Sequence, residues 1–313
     1  FTPAQTITDL DNPKHGFFWP NLVDGETIKL KLTVSDHEKQ FVRLNITNVA
    51  RGFHKDGSEL WQNKSGSCNV DVACEQTDKW DNEISSGGRY RYQSHEGGFV
   101  CTGQLINNTA KDGKPYFLTA DHCGYSNTDG SQATVTQRQN VAASIQVIWN
   151  YESMTCRTPG STISGISIST STFQNRQTGA TYKASNPFTD VALVELNNVP
   201  NASYGIEYTG WDRSNNTPSS AVGIHHPEGD AKRISHEDDA LAISSYYGNF
   251  GVGDSSHFRV NDWDSGTTQG GSSGSGLWNA DNLLVGQLHG GNAACGNDEP
   301  DCSPIDENSA DKS

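Results

Sequence analysis

Residues 268–279 read TQGGSSGSGLWN and place Ser272, Ser273 and Ser275 among glycines. Such a stretch is either a flexible linker or a tight turn that presents a hydroxyl and several backbone N–H groups to one point. A linker would be out of place, because the stretch lies between apolar strands and not between domains. A hydroxyl on such a turn becomes a nucleophile when a base can take its proton and a carboxylate orients that base. PYFLTADHCGYS (115–126) sets His122 directly after an apolar strand and before a cysteine, where a disulfide would hold the imidazole in one orientation. TDVALVEL (189–196) sets Asp190 at the start of an apolar strand, where a partly buried carboxylate needs a partner such as an imidazole N–H. Each residue also has a plain reading, as a loop histidine or a turn aspartate. The informative part is their order along the chain: His, then Asp, then Ser.

The regular signal available to position these residues is short alternation, in ETIKLKLTVS (26–35), QFVRLNITNVA (40–50), TDVALVELNN (189–198) and LLVGQLHGG (283–291). Turns rich in Gly, Asn, Asp and Pro separate the runs. No convincing amphipathic helix exceeds two turns, and nothing repeats at a fixed period. The pattern predicts an all-β protein built of barrels or sandwiches. WQNKSGSC (61–68) reads as a junction between a small β-rich module, 1–64, and the remainder, 65–313.

With 313 residues the chain can bury one large or two ordinary cores. Lys and Arg number 22 against 37 Asp and Glu, and the net charge of −15 argues against nucleic acid or an anionic membrane surface as the main partner. A basic substrate would be attracted. No run of 18 apolar residues occurs, so no helical membrane span is expected. The sequence starts at Phe1 without a Met, so export has to be argued from other features. Seven cysteines provide the argument: scattered through an acidic, polar chain without zinc-site spacing, they point to disulfides and a secreted or periplasmic protein. One must be left over, and Cys302, in the acidic tail, is the expected one. No metal or other cofactor is expected. His225 and His226 are adjacent, and on a strand neighbouring side chains point to opposite faces. Asn45 and Asn201 head Asn-X-Ser/Thr sequons, which in a bacterial protein would carry nothing.

The order His, Asp, Ser is that of the chymotrypsin-like triad. TADHC resembles the motif around the catalytic histidine of trypsin-like proteases, and GSSGSG resembles their GDSGG turn. More closely, GSCNVDVAC (66–74), YFLTADHCG (116–124), VIWNYESMTCR (147–157), GIHHPEGDAKRIS (223–235) and GQLHGG (286–291) are similar to the secreted bacterial lysyl endopeptidases. The similarity spans roughly residues 65–301. It implies a chymotrypsin-like double β-barrel that cleaves proteins or peptides after lysine; a monomer is expected. His122 would be the general base, Asp190 its orienter and Ser273 the nucleophile, with an oxyanion hole from the N–H groups of Gly271 and Ser273. Implied disulfides are Cys101–Cys123, Cys68–Cys295 and Cys74–Cys156. His289 would lie beside His122 and Asp190, while Gly290 and Gly291 would present backbone to an extended substrate.

Three departures from trypsin-like enzymes shape the expectations. The acid that pairs with a freshly cut N-terminus in trypsin-like zymogens is replaced by Ser272, so activation should work by removing a blocking segment. HGFFWPNLVDGETIKLKL (15–32) resembles the family's pro-regions, a permanent accessory β-sandwich being the alternative, and cleavage after Lys64 would release a chain starting SGSC. The trypsin specificity position holds Thr267, whereas GNAACGNDEPDC (291–302) offers Asp298, Glu299 and Asp301. Asp301 is the expected lysine-binding acid and Asp298 the next choice. Finally, CSPIDENSADKS ends where a further strand and a C-terminal helix are expected, so the second barrel is expected to be truncated and to lack a closing strand. A protease of other primary specificity and an inactive protease-like binding or adhesion module are the alternatives.

Overall fold

The computed structural model describes residues 19–20, 27–46, 49, 65–75, 78–165, 175–214, 216–246 and 255–295, together with the backbone of 306–309. Lys64, Asp298, Glu299, Asp301 and Cys302 lie outside the described residues. The first lobe follows β1 (Val70–Asp71) and helix α1 (Asp81–Ser86), and starts with β2 (Gly87–Gln93), β3 (Gly98–Ile106) and β4 (Tyr116–Ala120). Helix α2 (Val135–Ser144), β5 (Gln146–Trp149), β6 (Arg176–Thr178), β7 (Ala180–Asn186) and β8 (Val191–Leu196) complete it. The second lobe contains β9 (Ala221–His225), β10 (Arg233–Glu237), β11 (Ala242–Ser244) and β12 (His257–Val260). Its last strands are β13 (Gly276–Asn279), β14 (Leu284–Gly291) and β15 (Asp306–Ser309).

All pairings within the two sheets are antiparallel. The seven-stranded sheet runs β6-β5-β2-β3-β4-β8-β7, and the eight-stranded sheet runs β1-β10-β9-β13-β14-β15-β12-β11. Alternation in VALVEL becomes an alternating burial pattern in β8, which pairs with β4 on one side and β7 on the other. Phe117 on β4 sits edge-on between Tyr90 and Trp149, at 5.6 and 5.9 Å between ring centres, in the core of the first lobe. Ile106 and Leu118 from that lobe also pack on the Val222–Ile224–Trp278 cluster of the second, which joins the two sheets through apolar contact.

Several expectations need correction. Helix α2 has ten residues, more than the two turns expected, and starts with a capping box in which Thr134 and Gln137 satisfy each other's backbone N–H. Only its last four residues are buried, so the helix has almost no apolar stripe to detect. The strands expected at 26–35 and 40–50 are not formed by the described residues of those segments, which hold a single 3-10 turn, Lys39–Phe41. Ile28, Leu30 and Leu32 alternate but remain exposed, because no strand among the described residues pairs with that segment. The second lobe also has a strand where none was expected: β15 inserts between β14 and β12.

Among the described residues three disulfides form, Cys68–Cys295, Cys74–Cys156 and Cys101–Cys123, the pairings implied by the resemblance. Beside the first two lies a buried ionic cage. Asp71 pairs with Arg157 at 3.3 Å and with Arg233, while Arg233 reaches Asp230 at 3.1 Å. Two cations face two anions, so the dry site is balanced, and burial pushes Arg233 down to about 9. Asp230 also accepts from Ser65, from the backbone N–H at 3.2 Å and the hydroxyl at 2.8 Å.

Candidate active site

His122 follows β4 and Asp190 precedes β8, and these two strands are paired, so strand register alone brings the residues together. Asp190 adopts φ +54°, a left-handed conformation that Asp tolerates better than most residues, at the end of a tight turn. Its carboxylate accepts from the His122 backbone N–H at 2.8 Å and from the ring Nδ1–H at 2.7 Å. The Asp190 carbonyl accepts from Asp121 N–H at 2.8 Å and from Gln287 Nε2 at 2.7 Å. Asp190 is buried, while the His122 side chain is 39% exposed. Desolvation pulls the His122 pKa down, but the charge and hydrogen bond of Asp190 outweigh it, with help from Asp121, and the net shift is upward.

The serine-bearing turn comes from the second lobe and is tied to the first by backbone bonds. Thr102 N–H donates to the Ser273 carbonyl at 2.9 Å, and Thr102 Oγ1 donates to the Gly271 carbonyl at 2.9 Å. Gly274 N–H donates to Leu288 at 2.8 Å. Gly271 and Gly274 take φ +87° and +81°, and a Cβ on Gly274 would fall 2.2 Å from Thr119 Oγ1 and 2.5 Å from the Thr102 carbonyl. Only glycine fits this turn. The N–H groups of Gly271 and Ser273 have no acceptor among the described residues. Two donors left open beside a hydroxyl are what an oxyanion site requires.

His122 and Ser273 line one cleft of about 270 Å³, with Cys101, Tyr92 and Phe99 also in its wall. Among the described residues no hydrogen bond joins them. Such contacts are commonly long in free enzymes and tighten when substrate binds. A neighbouring cleft of about 290 Å³ is lined by His122, Asp190 and His289.

His289, on β14, stacks on His122 with ring centres 5.8 Å apart, and its Nε2 lies 3.8 Å from Asp190 Oδ2. Burial holds its pKa down at about 4, so the ring is neutral at neutral pH. His122, Asp190 and His289 offer ligand atoms within 4.8 Å of one another, but the 2.7 Å His122–Asp190 hydrogen bond already occupies the space between two of them. Beyond Leu288, β14 pairs only with β15, leaving the other edge of Gly290 and Gly291 without a strand partner among the described residues.

The remaining serines and histidines have other partners. Ser272 is buried, with Oγ 2.8 Å from His225 Nδ1, and Ser275 is buried too. His225 also meets Ser235 at 3.1 Å, and burial lowers its pKa to about 3. His226 turns elsewhere, its Nδ1 lying 2.9 Å from the Asp230 carbonyl. Gln287 and Thr102 were not expected in the site. Gln287 could have been read from its place two residues before His289, on the same face of one strand, whereas nothing local marks Thr102.

Two antiparallel β lobes, one carrying a coupled His–Asp pair and the other a glycine-bounded serine turn, are the marks of the trypsin-like serine protease class. The chain belongs to the lysyl endopeptidase family: the family described as lysyl endopeptidase, C-terminal domain, matches residues 62–304. A lysyl endopeptidase of Pseudomonas aeruginosa is 30% identical over 297 residues, covering 89% of this chain. The chain spans 58% of that relative's length. Among solved structures, a thermostable serine protease from an extremophilic microorganism aligns with TM-score 0.48 at 12% identity, covering 73% of this chain and 92% of the other. The protease Anisep from Arthrobacter nicotinovorans aligns with TM-score 0.47 at 13% identity, covering 72% and 90%.

Proposed function

We propose that the protein is a secreted or periplasmic serine endopeptidase that cleaves proteins or peptides after lysine. The observation that carries this reading is the 2.7 Å His122–Asp190 pair, whose His122 lines the same cleft as Ser273. His122 Nε2 takes the Ser273 Oγ proton as Oγ attacks the scissile carbonyl, while Asp190 holds the opposite ring N–H and stabilises the imidazolium. The N–H groups of Gly271 and Ser273 receive the oxyanion. His122 then protonates the departing amine, and water, deprotonated by the same ring, releases the acyl group from Ser273.

An extended substrate adds as a strand along Gly290 and Gly291. Its lysine ammonium reaches the carboxylate of Asp301, with Asp298 as the second choice, in keeping with the family and with the net charge of −15. Three disulfides fit an oxidising compartment, and no described helix is long and apolar enough to cross a membrane. Residues 1–64 act as a removable leader, cleaved after Lys64.

Labelling by a fluorophosphonate probe tests the activity. After removal of residues 1–64 the protein reacts and its Ser273→Ala variant does not, with activity lower by about 10⁴- to 10⁶-fold; a well-folded processed protein that resists the probe refutes the reading. Cleavage profiling on a mixed peptide pool tests lysine preference, and N-terminal sequencing of processed protein tests for a start at Ser65.

A further inference from the structure

His289 does not end the array of rings behind Asp190. His257, the first residue of β12, is buried, and its Nε2 lies 3.0 Å from His289 Nδ1. β12 and β14 are not adjacent in the sheet, since β15 lies between them, so this contact is made by two imidazoles reaching past an intervening strand. On its far side His257 Nδ1 lies 2.6 Å from Ser256 Oγ. Tyr246 stacks over both rings, 3.4 Å from the centre of His289 and 5.7 Å from that of His257. Ser256, His257, His289 and Asp190 thus form one line that ends at the carboxylate shared with His122.

The Asp190 carboxylate at one end of this line favours one placement of the protons. A carboxylate only accepts, so the His289 nitrogen facing Asp190, at 3.8 Å and beyond direct hydrogen-bond reach, is better placed with a hydrogen than with a lone pair. A neutral imidazole has one N–H, so His289 Nδ1 is then an acceptor and His257 Nε2 must donate to it. His257 Nδ1 is left as an acceptor, which the Ser256 hydroxyl satisfies. The opposite tautomer of His289 would aim a lone pair at a carboxylate. Because burial keeps His289 neutral, the choice between tautomers, and not its charge, is what the surroundings control.

We propose that His257, backed by Ser256, is a positioning residue: its Nε2–H fixes His289 in the tautomer that presents Nε2–H to Asp190, and so holds the carboxylate facing His122. The role rests on the protease reading above, but its first test does not need turnover. Nitrogen-15 NMR of the imidazoles in the full chain should find both His289 and His257 as Nε2–H tautomers. In His257→Leu, His289 should become a mixture and kcat should fall about tenfold with KM unchanged, the effect of one lost orienting hydrogen bond. His257→Gln, whose amide N–H can donate in place of Nε2–H, should recover most of the loss, a rescue that simple cavity repair does not predict. A native Nδ1–H tautomer at His289 overturns the proposal whether or not the variants fold, as does native kcat in His257→Leu. Fluorophosphonate labelling after removal of residues 1–64 separates the two claims: a labelled protein with the wrong tautomer refutes only the role of His257, and an unlabelled one refutes the protease reading.

Discussion

In the first lobe His122 is held by side chains, with the Asp190 carboxylate bonding its backbone N–H at 2.8 Å and its ring at 2.7 Å. In the second lobe Ser273 is held by backbone, through the Thr102 N–H and two glycines at positive φ. The first arrangement depends on charge and therefore on pH; the second depends on the absence of side chains and does not titrate. The contrast suits the roles proposed above, since a base must change protonation during turnover, while an oxyanion site works best when nothing in it moves.

The contrast can be broken from either side. The largest effect is expected from Asp190→Asn, which leaves shape nearly intact but favours the wrong His122 tautomer; kcat should fall about 10⁴-fold. Steady-state kinetics with an otherwise native fold check this, and a loss under tenfold would detach Asp190 from the base. Gly271→Ala puts a side chain at φ +87° and should cost about 10²- to 10³-fold in kcat by displacing one oxyanion donor. Its loss should be the same at every pH, unlike that of the first lobe's variants.

pH itself sharpens the comparison. The His122 pKa is raised above 6.5, so the acid limb of kcat/KM should have its midpoint above 6.5. The His122–Asp190 ion pair stabilises the fold fully below the unfolded histidine pKa, and that contribution fades as pH rises through the folded value. Activity is therefore gained where this part of the stability is lost, and a limb centred at or below 6.5 contradicts the shift. The smallest effect is expected from Gln287→Leu, which removes a 2.7 Å bond to the Asp190 carbonyl; thermal denaturation should show a loss of about 1 to 3 kcal/mol.

Much of this was legible in the residues, for reasons the two alternating runs make clear. TDVALVEL became β8 because β4 and β7 both pair with it, and Asp190 at its mouth was legible with it. ETIKLKLTVS carries the same alternation yet leaves Ile28, Leu30 and Leu32 in solvent, since period alone cannot supply a pairing partner. The motifs around His122 and Ser273 are local, so short stretches of sequence sufficed. Helix α2 was missed because only its last four residues are buried, although Thr134 and Gln137 spelled out its capping box. Thr102, Tyr246 and His257 reach the site only through long-range packing, and no neighbour in sequence announces them.

One covalent link decides what a cut in this chain can release. Cys68 and Cys295 are 227 positions apart and joined. Any single nick between them yields two pieces that cannot part until the cross-link is reduced. Self-digestion would then show as extra bands only on a reducing gel, while the non-reduced band keeps its mass.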